Sequence, residues 1–217
     1  MAKIDLARRA EIGHERRART RAQLLDAARS LYARHPIETV TIDDIVNEAD
    51  VAKGTFYVHF ANLDELRGVV ADEITHQFDE LLQPGRLALE NPIERIATGC
   101  AGFIGKALRN RSWGALVARG TASMPEVGRA ARDHLMQDLR QAAERGLLGE
   151  ATPELAYEFA IGIVLQAIRS AAEKRLRPAD RAAVVAAILR AIGVPARQAR
   201  DLARRVIERE VPIGLSA

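Results

Sequence analysis

A chain of 217 residues, 48% hydrophobic and 28% charged, has room for one or two domains around a sizeable core. Its 32 Lys and Arg against 29 Asp and Glu leave a formal net charge of +3, too little for bulk charge alone to mark a nucleic-acid binder. The single cysteine, Cys100, excludes an intramolecular disulfide and any cysteine-clustered metal site; it reads as a small buried apolar residue or, alternatively, as a redox sensor.

The N-terminus is charged and lacks the apolar run of a signal peptide. Between Met1 and Arg21 there are seven Lys or Arg against three acids. Residues 1–16 therefore read either as a solvated leader or as an arm that follows phosphates or enters a minor groove. A first helix is expected over 17–34, burying Leu24, Ala28, Leu31 and Tyr32, and His35-Pro36 ends it. Thr41 then caps a short helix in which Ile42, Ile45 and Val46 share one face. Ala49-Asp50-Val51 breaks the pattern over the length of a helix-turn-helix corner. A second short helix, 52–60, turns Phe56 and Phe60 inward and leaves Lys53, Gly54, Thr55, Tyr57, Val58 and His59 outside. Lys and His suit phosphates, Thr and Tyr can donate to them, and Val58 offers an apolar contact for a thymine methyl. Gly54 costs about 1 kcal/mol of helix propensity relative to Ala, a cost that close approach of the backbone to DNA would explain. By spacing alone, an ordinary helical hairpin with a solvated outer face fits equally well.

The combination of motifs is more specific than the spacing. Thr20-Arg21 leads into Leu24-Leu25-Asp26-Ala27-Ala28, followed by Leu31-Tyr32, Thr39-Val40-Thr41-Ile42, Lys53-Gly54-Thr55-Phe56-Tyr57, His59-Phe60 and Asn62-Leu63-Asp64-Glu65-Leu66. With these residues the segment 17–74 resembles the DNA-binding domain of the tetracycline-repressor (TetR) family. The resemblance implies that Thr41, Lys53, Gly54, Thr55, Tyr57, Val58 and His59 face DNA. Three positions depart from the family pattern. Asp50 stands where a corner glycine is usual, although Asp tolerates a left-handed conformation. Ala52 replaces a frequent Ser or Thr, and Leu63 replaces a frequent phosphate-binding Lys.

A fourth helix is expected from Asn62, capped with Glu65 three residues on, to about Leu82, closed by Pro84-Gly85. Asn91-Pro92 starts the next helix, extending to about Asn110. Less regular structure is expected over 113–124, with Gly114 and Gly120 as breakers. Further helices follow over 125–145, from Thr152-Pro153 to about Arg177, from Pro178, and from Pro195 to about Glu210. The last is basic, with Arg197, Arg200, Arg204, Arg205 and Arg209 on a face that reads as solvated or as a second DNA contact. No strand-like alternation or internal repeat is present, so the fold class is all-α. The expected layout is an arm (1–16), a three-helix helix-turn-helix domain (17–77) and, through a linking helix, a ligand-binding and dimerisation domain (84–217). The apolar run 155–168 contains Glu158 and Gln166 and is shorter than the roughly 20 residues of a membrane span. No membrane partner is expected, and a cytoplasmic location is. Its nearly all-round apolarity, with that of Val184, Val185, Ile188, Leu189 and Ile192, suits either a monomer core or a four-helix interface between two copies. The TetR resemblance implies the homodimer.

The resemblance also implies a small-molecule pocket beyond Pro84. Cys100, Phe103, Trp113, Met124, His134, Phe159 and Gln166 are the lining candidates, and Arg109 and Arg119 are candidates to meet an anion. Ordinary core packing or salt bridging is the competing reading of each. No HExxH, GxSxG or phosphate-cradling glycine loop occurs, so neither catalysis nor a metal or cofactor is expected. The expected function is a ligand-responsive repressor of an inverted-repeat operator in double-stranded DNA. An activator or a sequence-tolerant architectural DNA binder are the alternatives.

Overall fold

The computed structural model describes residues 2–123 and 127–209, and every regular element among them is helical. In chain order these are α1 (Ala2–Arg34), α2 (Ile42–Glu48), α3 (Lys53–His59), α4 (Leu63–Leu87), α5 (Pro92–Arg109), α6 (Arg111–Ser123), α7 (Arg129–Glu144), α8 (Pro153–Ala172), α9 (Arg181–Ala191) and α10 (Ala196–Arg209). A 3₁₀ turn, Pro178–Asp180, leads into α9.

Two apolar clusters organise the bundle. The smaller joins α1, α2, α3 and the first half of α4 around Leu24, Ala28, Ile45, Phe56, Phe60 and Leu66, all almost fully buried. The larger joins the second half of α4 with α5 to α10 around Ile96, Ile104, Leu139, Ile168, Ile188 and Leu189. The smaller cluster is not built from the first 71 residues alone. Leu116 of α6 and Val127 complete it, so the second half of the chain supplies part of the core beneath α1 to α3.

Helix boundaries follow local chemistry where it is strong. The Thr41 side chain accepts from Asp44 N while the Asp44 carboxylate accepts from Thr41 N, a reciprocal cap that opens α2. Asn62 caps α4 by accepting from Glu65 N, and Asn91 and Thr152 cap α5 and α8, each with proline at the first helical position.

Four sequence expectations change. Residues 2–16 are not a separate arm but the first turns of one 33-residue helix, α1. Pro84 does not end α4, which continues to Leu87: a proline removes a single backbone bond, and the buried Leu82 and Arg86 on either side fix the last turns from outside. Residues 113–123 form α6, because its glycines make room rather than break the helix. A Cβ at Gly120 would overlap Ala71 of α4, and one at Gly114 would press on Ala107 at 3.2 Å. Finally, α8 stops at Ala172, where Lys174 adopts φ +61° without a glycine to announce the turn.

By length and composition α8 is apolar enough to cross a bilayer. Glu154, Glu158 and Arg169 interrupt it, however, and its small buried residues Ala156, Ala160, Ala167 and Ala171 pack into the bundle. In α10, Ala199, Leu202, Ala203 and Val206 face the core while Arg197, Arg200, Arg204 and Arg205 stay exposed.

Candidate functional site

The short helix α3 stands on Phe56 and Phe60, whose rings lie 5.7 Å apart in the core beneath it. Its opposite face carries Lys53 and Gly54 in the open, with Tyr57 54% and Val58 64% exposed. These two adjacent side chains are free to meet a partner surface. Lys53 Nζ lies 2.8 Å from Asp43 of α2, whose hydrogen bond and charge hold the ammonium above its usual range. A phosphate contact would therefore compete with Asp43. The Thr41 hydroxyl is engaged with Asp44, and that hydrogen bond, with one from Thr41 N, holds the Asp44 carboxyl below its usual value. His59 is pushed below the ordinary histidine range by burial and by the nearby Arg21 and Arg17. Further cations stand on α1: Arg21 sits 5.0 Å over the Phe60 ring, and Arg16, Arg17 and Arg19 are exposed close by. Asp50 holds the corner at φ +53°, as its tolerance of the left-handed region allows. Ala52 makes no side-chain cap, and Leu63 packs on the small core.

A Cβ placed on Gly54 meets nothing within 4 Å. Gly54→Ala is accordingly expected to leave the fold intact and to raise stability by up to about 1 kcal/mol, since glycine is the poorer helix former. If the backbone lies against DNA here, the same substitution weakens operator binding at least tenfold. Paired melting and gel-shift measurements separate the two effects.

The second site is a cavity of about 370 Å³ enclosed by five helices. Thr75, Asp79 and Arg86 come from α4, and Arg95, Ile96, Gly99, Cys100 and Phe103 from α5. Val117 and Thr121 of α6, the Val127-Gly128 turn before α7, Ala131, Arg132 and Leu135 of α7, and an α8 face from Tyr157 to Ile168 complete it. Its walls are mainly apolar. One end is a buried ion cluster: Asp138 accepts from Arg86 at 2.7 Å and from Arg95 at 2.6 Å, and Asp79 lies 3.5 Å from Arg86. Elsewhere Arg132 adjoins Tyr157, where burial pushes the phenol above its usual range against the pull of the guanidinium. A second hollow of about 340 Å³ shares Arg86 and Arg95 with the cavity and is lined by Gln83, His134 and Gln137.

Family models match both halves of the chain. One, described as "Bacterial regulatory proteins, tetR family", matches residues 24–69; another, "Tetracyclin repressor-like, C-terminal domain", matches residues 91–205, more than half of the chain by itself. The chain belongs to the TetR family. Among solved structures it is similar to RolR (NCGL1110) in complex with resorcinol, with a TM-score of 0.79 and 27% identity over 88% of this chain and 96% of that one. RolR without ligand gives 0.74 and 28% over 85% and 96%. The fatty acid degradation regulator FadR from Bacillus halodurans shares the fold, at 0.61 and 17% identity over 80% and 95%. No curated protein matches the chain.

Within the TetR frame, α3 presents Lys53, Gly54, Tyr57 and Val58 on one surface, with Thr55 and His59 half-buried at its edge and Thr41 at the start of α2. The pocket candidates fare less uniformly. Cys100 and Phe103 line the cavity. Trp113 packs behind them, 5.6 Å from Phe78 and 6.0 Å from Phe103. His134 lies in the second hollow, with Nδ1 2.7 Å from Asp79 Oδ2. Phe159 and Gln166 point to the outside of α8, the latter bonded to Ser170. Met124 lies outside the described residues. Arg119 pairs with Glu38 on the surface, 3.1 Å away. Asp79, Arg86, Arg95 and Asp138 escaped sequence reasoning, because charged helix residues default to solvent. A signal existed: Thr75, Phe78, Asp79, Leu82 and Arg86 follow one another at helical spacing, which sets two charges inside an apolar stripe.

Burial pushes the Cys100 thiol up to about 12. At pH 8 the native protein is expected to react with iodoacetamide more than a hundredfold slower than the urea-unfolded chain, since the thiolate is the nucleophile. Mass-spectrometric labelling checks this and tests the redox-sensor alternative.

Proposed function

We propose that this protein is a dimeric repressor that leaves an inverted-repeat operator when a small molecule fills the cavity between α4 and α8. The chain would divide into a DNA-reading part, 17–77, extended by the basic turns of residues 1–16, and an effector and dimerisation part, 84–217, in a cytoplasmic protein. Thr41, Lys53, Gly54, Thr55, Tyr57, Val58 and His59 would face DNA, with Arg16, Arg17 and Arg19 on flanking phosphates.

The observation that carries this reading is the shared wall of the two sites. Val127 belongs to the small apolar core and also lines the cavity. Next to it, Gly128 N donates to Asp72 of α4 at 2.9 Å, and Leu116 and Val117 of α6 face the reading-head core and the cavity respectively. A ligand pressing on this wall would bear on α4, whose first half shares the small core with Phe56 and Phe60. Two such chains would set their recognition helices in successive major grooves, about 34–36 Å apart. A ligand favouring another spacing weakens DNA binding by the same factor by which DNA weakens ligand binding.

The test is selection of bound sequences from random DNA at near-physiological salt, followed by operator titration with and without effector. RolR binds resorcinol, so resorcinol is the first probe. Recovery of an inverted repeat whose affinity falls with effector supports the proposal. Recovery of no motif favours an architectural binder, and the position of the operator relative to a promoter decides between repressor and activator.

A further inference from the structure

Helical geometry fixes which residue stands at the middle of the open face of α3. Phe56 and Phe60 mark the side turned into the core. At about 100° per residue, Gly54 and Val58 lie roughly opposite Phe56, one turn apart on a single line. The burial pattern follows this geometry. Val58 is the more exposed of the two large apolar side chains, Gly54 is open, Tyr57 is exposed on one flank and Thr55 is half-buried on the other. A Cβ on Gly54 would meet nothing within 4 Å, and as a glycine it has no side chain to hold an approaching surface away from Val58.

The polar residues of the helix stand aside from that line. Lys53 Nζ is engaged with Asp43 of α2, and His59, half-buried, has Arg21 and Arg17 of α1 beside it. Thr55 and Tyr57 offer one hydroxyl each. From Lys53 to His59 there is no Arg, Asn or Gln, the side chains that grip a guanine or adenine edge with two hydrogen bonds. A valine neither donates nor accepts, so it is blind to the donor and acceptor pattern of a base pair. The apolar mark in the major groove is the 5-methyl group of thymine. We infer that Val58 is the base-reading residue at the middle of α3 and that it selects thymine through this methyl group. The inference rests on the proposed operator binding, and it names the base that α3 picks out and the atom by which it does so.

The experiment uses the full chain and the inverted repeat recovered by selection. Each thymine of the repeat is replaced in turn, in both half-sites, by uracil, which keeps every hydrogen-bonding group and loses only the methyl. Burying one methyl is worth about fourfold in affinity, so at one position the paired replacement should weaken binding about tenfold. A cytosine·guanine pair placed there should bind more tightly when the cytosine carries a 5-methyl group than when it does not. Val58→Ala trims an exposed side chain in a helix that favours alanine, so the variant should melt no lower than the wild type. Its phosphate contacts are untouched, and the salt dependence of its binding should be unchanged. Both methyl effects, however, should shrink to about twofold or less, the coupling that a double-mutant cycle isolates. The inference is overturned if no thymine depends on its methyl, or if Val58→Ala keeps the full dependence. Failure of operator binding itself looks different: selection then recovers no motif, and a protein without base preference overturns both readings together.

Discussion

Asp138→Ala is expected to destabilise the protein by about 3–5 kcal/mol, the usual consequence of removing one partner from a buried ion cluster. Asp138 is 5% exposed and takes charge-assisted hydrogen bonds from two guanidinium groups, Arg86 on α4 and Arg95 on α5. Without it Arg95 keeps its bonds to the Leu89 and Glu90 carbonyls and to Gln141, but Arg86 keeps only the longer contact with Asp79. For a chain of this size each kcal/mol moves the melting temperature by about 2–4 °C, so a fall of roughly 6–20 °C is expected at fixed protein concentration. Asp138→Asn, which keeps an acceptor for one guanidinium, should fall less. A melting temperature within 2 °C of wild type for the alanine variant would mean that the cluster is hydrated in solution and holds nothing together.

Phe159→Glu is expected to leave each chain folded and to split the pair. Leu155, Phe159, Gly162 and Gln166 recur at helical spacing along the outside of α8, and both large apolar members are almost half exposed. Nothing lies within 4 Å of a Cβ placed on Gly162, so a second helix could approach closely there. Because Phe159 packs little within its own chain, the substitution should change the stability of the monomer only slightly. In a dimer seam an aromatic anchor is worth about 2–4 kcal/mol, and a buried unpaired carboxylate adds to the loss. Sedimentation at micromolar concentration should show a monomer, and operator affinity should fall at least a hundredfold as each chain then holds a single half-site. A variant that remains dimeric with normal operator affinity would remove α8 from the interface.

The sequence spoke most clearly where function is carried by neighbours along the chain. Thr41 to Phe60 is one contiguous run, and its Thr41 cap, its corner and its inward phenylalanines are local facts that survive into the fold. The difficulties arose wherever a residue's meaning depends on a distant partner. Gly114 and Gly120 read as breakers because the Ala107 and Ala71 that press against them belong to other helices. Pro84 read as a stop because the anchors of Arg86 lie 52 residues on at Asp138 and one helix face back at Asp79. The cavity's polar end draws on α4, α5 and α7. By contrast, of the lining candidates named from sequence that lie among the described residues, only Cys100 and Phe103 belong to its wall.

Leu116 and Val127 have a practical consequence for anyone recombining such proteins. A cut between α4 and α5 looks like a natural seam for transplanting the head as a cassette. Made there, it would strip two core residues from the graft and expose Ala71, against which Gly120 fits, to whatever surface the host sensor supplies. A working chimera has to carry the α6 face along with the head, or rebuild that face in the recipient, so the smallest portable reading unit of this chain is not contiguous.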